Sequence, residues 1–334
     1  MVRRSPWCGV LGGAVVLMVG TMAIETGEPR LFRNPKATLA ESLVWDPVGD
    51  LLWCDITEGT FHRSPKIGNA FGMQDSHAAL PAPLASFHQA ASGGHVLSLG
   101  DRVVLVNDAG ELTRELATVQ HAVDGMRLNE GKVDPFGRWV TGSLDPSGQG
   151  NGAIYAIDSD GGVQVLLRGI GISNGFEWSR DGRTMYFSDT DEKTIYRADY
   201  SLDAELSNIE AVTVGHSHDG ATMDADGYLW TAIYGEGRVM RVSPDGTEDM
   251  SIALPAPNVT SVAFGGDDLS VLYVASAREN MSPQELRSSP MAGAIFSIQT
   301  ATHGFLPYRF GESSVTESSS AESSSAESSV ASDS

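Results

Sequence analysis

The sequence predicts an all-β protein, a six-bladed β-propeller, because it combines a long-period repeat, strand-like alternation and turn residues. Six segments share a turn with Asp or Gly, an apolar strand, a short turn and a second apolar strand. They begin 45, 43, 45, 45 and 41 residues apart, at Asp46, Ala91, Asp134, Ser179, Asp224 and Gly265. Apolar and polar residues alternate within them, as in YLWTAIY and RVMRV, which is the period of a β-strand. A four-stranded unit recurring every 40–45 residues is typical of a propeller blade.

The two ends of the chain differ in composition from the repeats, so the propeller is expected at residues 24–310. Residues 1–23 carry Arg3 and Arg4, an apolar run and small residues, which is the order of a signal peptide. The run is shorter than the roughly 20 residues of a membrane span, so no membrane segment is expected in the mature protein. A start of translation at Met22 is the alternative. Export follows from the first interpretation and a cytoplasmic location from the second.

The C-terminal residues 311–334 are almost entirely Ser, Glu, Ala and Asp. Such a segment buries too little apolar surface to offset its chain entropy, so a disordered tail is expected. The whole chain has a net charge of −21, which excludes nucleic acid as a partner because phosphates would be repelled. Of the two cysteines, only Cys54 falls in the propeller, where its apolar surroundings predict core packing.

Polar residues stand just before the strands expected to line the channel. Glu41, Asn174 and Asp219 occupy equivalent places in different repeats, so a ring of blades would bring them together. Asn-Gly and Asp-Gly pairs are also ordinary turn formers. Carboxylate and amide oxygens suit a hard divalent cation such as Ca²⁺, Mg²⁺ or Mn²⁺. Zn²⁺ also binds carboxylates, although a His and Cys set for a structural zinc is missing from this group.

Four strings, in order, resemble the SMP-30/gluconolactonase/regucalcin family over about residues 36–308. They are RLNEGKVDPFGRWVTGSL, ISNGFEWSRDGRTMYFSDT, HDGATMDADGYLW and TSVAFGGDDLSVLYVASA. The resemblance implies a six-bladed propeller with one catalytic divalent cation, bound by the residues matching Glu41, Asn174 and Asp219. It also implies that Arg127 and Asn129 contact a sugar lactone. Relatives begin close to their first blade and are usually cytoplasmic, which favours the Met22 start.

Several positions depart from the family pattern. Ser42 follows the metal-site glutamate where glycine is usual, and Glu130 and Glu177 replace aspartates. His218 stands where proline commonly precedes the Asp-Gly pair, and a solvent-facing side chain is expected there. These departures put a secondary calcium site in doubt.

The expected function is metal-dependent opening of a sugar lactone, with Asp219 as general base and metal ligand together. Two alternatives remain open: a non-catalytic calcium-binding or ligand-binding propeller, and a related metal-dependent ester hydrolase. Substrate choice is expected to depend on two loops at the pocket edge, residues 61–83 and 143–152.

Overall fold

The computed structural model describes residues 26–65 and 75–312, which form six four-stranded antiparallel sheets around a channel. The innermost strands of successive sheets contact one another all the way round, so the sheets are the blades of a closed ring. The predicted six-bladed β-propeller is confirmed. The signal-like segment 1–23, the alternative start Met22 and the tail beyond residue 312 lie outside the described residues. Within the described part, no helix has the length and hydrophobicity needed to cross a bilayer.

Each blade is a meander whose first strand lines the channel, except that the outermost strand of the last blade comes from the N-terminal side. Blades 1 to 3 comprise β2 (Ala40–Trp45), β3 (Leu51–Asp55), β4 (Thr60–Ser64) and β5 (Ser76–Ala79); β6 (Leu84–Gln89), β7 (His95–Leu99), β8 (Arg102–Val106) and β9 (Leu112–Thr118); β10 (Arg127–Val133), β11 (Trp139–Leu144), β12 (Gly152–Ile157) and β13 (Val163–Ile170). Blades 4 to 6 comprise β14 (Ser173–Trp178), β15 (Thr184–Asp189), β16 (Thr194–Tyr200) and β17 (Leu206–Val214); β18 (His218–Met223), β19 (Leu229–Ile233), β20 (Arg238–Val242) and β21 (Glu248–Ala253); β22 (Asn258–Gly265), β23 (Val271–Ala277), β24 (Ile295–Gln299) and β1 (Arg30–Arg33). A short helix, α1 (Pro283–Ser288), lies between β23 and β24.

Blade 6 closes the ring because it joins the two ends of the described chain. Strand β1 pairs antiparallel with β24, and Arg30 lies opposite Ser297. The repeat pattern did not reveal this strand, which stands alone before the first repeat.

The aspartates that open several repeats cap the turn between the first and second strands of a blade. Asp134 Oδ1 accepts hydrogen bonds from the backbone N–H groups of Phe136 (3.0 Å) and Arg138 (2.8 Å). Asp46 and Asp224 form the same turn in blades 1 and 5. All three are buried, so this turn chemistry explains why Asp recurs at the blade spacing.

Large apolar side chains fill the wedges between neighbouring blades. Trp53, Trp139 and Trp230 lie on the second strands of blades 1, 3 and 5 and are almost completely buried. Trp230 meets Phe264 of the next blade edge to face, with the ring centroids 6.0 Å apart. Cys54 is also buried in blade 1, as predicted.

The channel has two distinct ends. The inner strands start at one end, which we call the mouth, and finish at the other, which we call the far end. Residues 300–311 cross the far end, where Arg180 stacks over the Phe305 ring (4.1 Å) and Phe310 N–H donates to Gln89 O (2.9 Å). The two loops expected at the pocket edge therefore differ. Residues 145–151 and 80–83 lie at the mouth, whereas Ser64 at the end of β4 and Ser76 at the start of β5 lie at the far end.

Candidate active site

The predicted polar residues lie within the inner strands, not before them. Glu41, Asn174 and Asp219 each occupy the second position of an inner strand, and Arg127 and Asn129 are the first and third residues of β10. All of them are at the mouth. The structure thus brings the predicted set to one end of the channel, but the expectation that each strand begins after its polar residue was wrong.

A β-bulge lies at the polar residue or directly after it in each of these inner strands. The strand register shifts between Glu41 and Val44 and between Asn174 and Glu177, and equivalent shifts occur in β10, β18 and β22. A bulge bends a strand and changes the direction of its side chains. Because of the bulge, the side chains at the mouth and those further down the same strand do not follow a single inward and outward alternation. Polar groups can therefore face the channel at the mouth while apolar groups pack below them.

A chain of hydrogen bonds runs across blades 3, 4 and 5. Arg127 Nη1 donates to Asn129 Oδ1 (2.6 Å), and Asn129 Nδ2 donates to Asn174 Oδ1 (2.9 Å). Asn174 Nδ2 then donates to Thr190 Oγ1 (2.9 Å), which donates to His218 O (2.6 Å). Both amides have a consistent donor and acceptor assignment, so their orientations are defined by their neighbours.

Two buried carboxyl groups face each other across the mouth. Glu41 is 9% exposed and Asp219 is 6% exposed. Burial raises the pKa of Glu41 to about 7, against the opposing effects of the Ser42 N–H group and the Arg127 charge. Burial, followed by repulsion from Glu41 and Glu130, holds the pKa of Asp219 well above its usual range. A positive charge between the two carboxyl groups would favour their ionised forms.

Glu130 adds a third carboxyl group that the sequence analysis treated only as a departure from the family pattern. Its Oε2 accepts a hydrogen bond from Gly175 N–H. Burial and the Glu41 charge raise the pKa of Glu130 to about 8. The guanidinium of Arg127 faces this acidic group, and burial lowers its pKa against the attraction of Glu279, Glu41 and Asp219.

The donor set fits a divalent cation. Among residues 26–65 and 75–312, no three His, Cys, Asp or Glu side chains converge closely enough to hold a metal by themselves. A cation here would therefore depend on the amide oxygen of Asn174 together with the carboxylates of Glu41 and Asp219. Oxygen donors of this kind suit Ca²⁺, Mg²⁺ and Mn²⁺, and a bound cation would favour the ionised carboxylates.

Ser42 adopts a left-handed backbone conformation, with a φ of 52°. The equivalent residue in blade 4 is Gly175, with a φ of 62°. Such angles strain a residue that has a Cβ atom. The bulge therefore imposes on Ser42 a backbone conformation that glycine adopts without strain, directly beside Glu41.

His218 does not face solvent, so that expectation was wrong. Its side chain is fully buried in blade 5, with Nδ1 3.5 Å from Thr231 Oγ1. Burial lowers the pKa of His218 to about 3, which keeps the ring neutral. Its backbone carbonyl contributes to the site by accepting the Thr190 hydroxyl.

Residues 171–175 spell G-x-S-x-G, the pattern of serine hydrolases that place the nucleophile on a strand-to-helix turn. Ser173 instead lies on the inner strand β14, is fully buried, and donates from Oγ to Ser143 O (3.0 Å). The pattern is coincidental, and Ser173 is a packing residue.

Sequence reasoning missed Thr190 and Glu279. Thr190 directly follows β15, whose last residue pairs with Ser173, so the strand register could have placed it beside Asn174. Glu279 follows β23; its carbonyl accepts Asn258 Nδ2 (3.0 Å), and its carboxylate raises the pKa of Glu41.

The fold and the site define a class of protein: six-bladed propellers with a buried acid and amide cluster at the channel mouth. The family model described as SMP-30/Gluconolactonase/LRE-like region matches residues 39–278. The chain therefore belongs to the SMP-30/gluconolactonase/LRE-like family, as the sequence motifs indicated.

Individual relatives span nearly the same region. The chain is 35% identical over 282 residues to 6-deoxy-6-sulfogluconolactonase of Pseudomonas putida, covering 81% of this chain and 94% of that protein. It is 33% identical to regucalcin of Sus scrofa with the same coverage. The crystal structure of a calcium-binding protein, regucalcin, from Agrobacterium tumefaciens superposes with a TM-score of 0.79 at 27% identity, covering 85% of this chain and 97% of that one.

Proposed function

We propose that this protein is a divalent-metal-dependent lactonase that opens a sugar lactone to the aldonic acid. The observation that carries the proposal is the pair of buried carboxyl groups, Glu41 and Asp219, beside the Asn174 amide and the Arg127 guanidinium. The similarity to a sulfogluconolactonase supports the reaction class. A small neutral or substituted sugar lactone is the expected partner.

The proposed ligands are Glu41, Asn174 and Asp219. A divalent cation bound by them would polarise the lactone carbonyl and stabilise the oxyanion of the tetrahedral intermediate. The native ion, whether Ca²⁺, Zn²⁺, Mn²⁺ or Mg²⁺, is to be established by metal replacement.

Asp219 would act as general base. Its carboxylate takes a proton from water while the water oxygen bonds to the lactone carbonyl carbon. When the intermediate collapses, the bond between the acyl carbon and the ring oxygen breaks. The ring oxygen then takes the proton back from Asp219 and becomes the new hydroxyl of the aldonic acid.

Arg127 and Asn129 would bind the substrate. Arg127 Nη1 donates hydrogen bonds to Leu128 O (2.9 Å) and to Asn129 Oδ1, which fixes the plane of the guanidinium. The Nε and Nη2 groups can then donate a forked pair of hydrogen bonds to sugar hydroxyls. The Asn129 amide contacts both Arg127 and Asn174. The orientation of the proposed substrate-binding arginine and that of the proposed metal ligand therefore depend on the same side chain.

The testing experiment is hydrolysis of a panel of aldonolactones, followed with a pH indicator, after EDTA treatment and again after adding Ca²⁺, Mn²⁺, Zn²⁺ or Mg²⁺. Activity that disappears with chelator and returns with one metal supports the proposal. Asp219→Asn should remove most turnover while the fold is retained. The exposed residue Asp203, on a far-end turn, provides the matched control Asp203→Asn. Near-normal activity of Asp219→Asn would contradict the role of this residue.

A second candidate is a calcium-binding protein without catalysis, since the superposed Agrobacterium protein is described as calcium-binding. The same oxygen donors would serve it. Stabilisation by metal without hydrolysis of any lactone would favour this function, and hydrolysis of simple esters alone would favour a related ester hydrolase.

A further inference from the structure

Below the mouth, an ion pair connects the inner strands of three blades. Lys132 on β10 donates from Nζ to Glu177 Oε2 on β14 (2.7 Å) and to the backbone carbonyl of Ala221 on β18 (3.1 Å). Both side chains are largely buried, with 20% of Lys132 and 12% of Glu177 exposed. The ammonium group therefore contacts blades 4 and 5 from blade 3.

Glu177 is itself held on both oxygens. Its Oε1 accepts Trp178 N–H (3.0 Å), and its Oε2 accepts Met223 N–H (3.1 Å) on β18 as well as the ammonium of Lys132. The carboxylate thus bridges its own strand and the next. Its side-chain length matters, because it must reach the backbone of the neighbouring blade.

These three strands also carry most of the proposed site. Asn129 lies three residues before Lys132, Asn174 three residues before Glu177, and Asp219 two residues before Ala221. At about 3.3 Å per residue, and because the bulge inserts an extra residue so that the partner strand advances only two, the ion pair lies roughly 7 Å below the proposed ligands. A slide of one strand against another at this level would move the ligands above it.

A second tie exists at the mouth itself. Ser188 and Thr190 of blade 4 donate from their hydroxyls to His218 O at 3.3 and 2.6 Å. Blades 4 and 5 are therefore joined above and below Asn174 and Asp219. On the other side of the ring, β2 is fixed to blade 6 by Thr260 Oγ1 on Ala40 O (2.5 Å) and by Ser261 Oγ, which accepts Leu43 N–H (3.1 Å).

We propose that Lys132 is a positioning residue for the metal site: its bonds to Glu177 and the Ala221 carbonyl set the height of the strands that carry Asn174 and Asp219. The inference rests on the proposed function only for the identity of the site. A purely stabilising ion pair would affect only the free energy of unfolding. A positioning residue also affects cation affinity, because cation ligands must be held to within a few tenths of an ångström.

The test measures Mn²⁺ and Ca²⁺ affinity by titration calorimetry together with thermal stability, on the purified full chain. Lys132→Met should weaken cation binding by about tenfold or more, as is usual when a group that orients ligands is lost. Lys132→Arg, which keeps the charge and can reach both partners, should restore much of the affinity. Arg197→Met removes a cation from an exposed ion pair with Glu210 on blade 4 and is the matched control.

The double variant Lys132→Met/Glu177→Met separates position from stability. Replacing both partners of a buried pair with apolar residues can recover stability. We expect its unfolding temperature to approach the wild-type value while cation affinity stays weak. If Lys132→Met binds within twofold of wild type, or if the double variant regains affinity together with stability, Lys132 is only a structural residue.

The outcome is distinct from that of the lactonase proposal. A wild-type chain that binds Mn²⁺ or Ca²⁺ but hydrolyses no lactone refutes the lactonase, and the affinity comparison still decides the role of Lys132. A wild type that binds none of Ca²⁺, Mn²⁺, Zn²⁺ and Mg²⁺ in the same titration refutes both.

Discussion

Replacing Glu41 by Gln should stabilise the metal-free protein while abolishing its response to metal. The side chain is buried, and the pKa of its carboxyl is raised from 4.5 to about 7. Below pH 4.5 the group is protonated in both the folded and the unfolded chain, so it costs nothing. As the pH rises to 7, the unfolded chain gains the ionised form first, and the folded state is destabilised by an amount that is complete above pH 7.

The magnitude follows from the size of the pKa shift. Each pKa unit corresponds to 1.36 kcal/mol, so the penalty at pH 8 is at most about 3.4 kcal/mol. Glutamine also gives up the attraction between Glu41 and Arg127, which reduces the gain. We therefore expect Glu41→Gln to raise the free energy of unfolding by about 1–3 kcal/mol, or the unfolding temperature by roughly 2–6 °C for a chain of this size.

Thermal unfolding in EDTA at pH 4.5 and pH 8, followed by circular dichroism, measures this gain. The stabilisation should be near zero at pH 4.5 and full at pH 8. Adding Ca²⁺ or Mn²⁺ should then stabilise wild type and leave Glu41→Gln unchanged, so the order of the two proteins reverses. Glu205→Gln, at an exposed position on a far-end turn, should behave as wild type. A Glu41→Gln protein less stable than wild type in EDTA at pH 8 would refute the reasoning.

Three further predictions concern the strain, the turns and the amide chain. Ser42→Gly should raise the urea midpoint, by about 1 kcal/mol in stability, because glycine relieves the left-handed backbone; a lower midpoint would show that no strain is present. Asp224→Ala should cost about 2–4 kcal/mol in urea unfolding, because it leaves Arg241 with only the more exposed Asp226 and Asp249 and removes the acceptor of Trp230 Nε1–H and of the turn N–H groups; a loss below 1 kcal/mol would contradict this. Asn129→Asp should lower kcat/KM for a lactone by about tenfold or more with the fold retained, since an acceptor would then face Asn174 Oδ1; unchanged kinetics would show that the amide chain does not set the site.

The architecture was predictable because the repeat has a physical cause. Buried aspartates such as Asp134 and Asp224 cap the same turn in different blades, and period-2 alternation marks the strands between those turns. Strand β1 was not predictable, because it lacks the turn and the partner strand that make a repeat recognisable. Strand β1 pairs with the edge of β24 that the other strands of blade 6 leave unpaired. That edge is known only once the blades have been placed in a closed ring.

The positions of Glu41, Asn174 and Asp219 at the mouth followed from their equivalent places in the repeats. Their placement inside the strands did not, because the β-bulge depends on pairing with the second strand. The burial of His218 was also missed: the residue precedes an Asp-Gly pair that suggested an exposed turn, whereas the pair lies within strand β18. Thr190 and Glu279 enter the site from other strands and loops, so local sequence gave no reason to choose them.

The mixed origin of blade 6 has a consequence for the order of assembly. Strand β1 is the first described strand to be synthesised, yet its partner β24 lies about 265 residues later in the chain. Closing so long a loop carries a large entropic cost and is slow compared with forming each local meander. Until β24 has been synthesised, the chain can form the local meanders but cannot complete the circle. Glu41 on β2 and Asp219 on β18 are then held only as parts of an open arc, so metal binding should report the final step of folding.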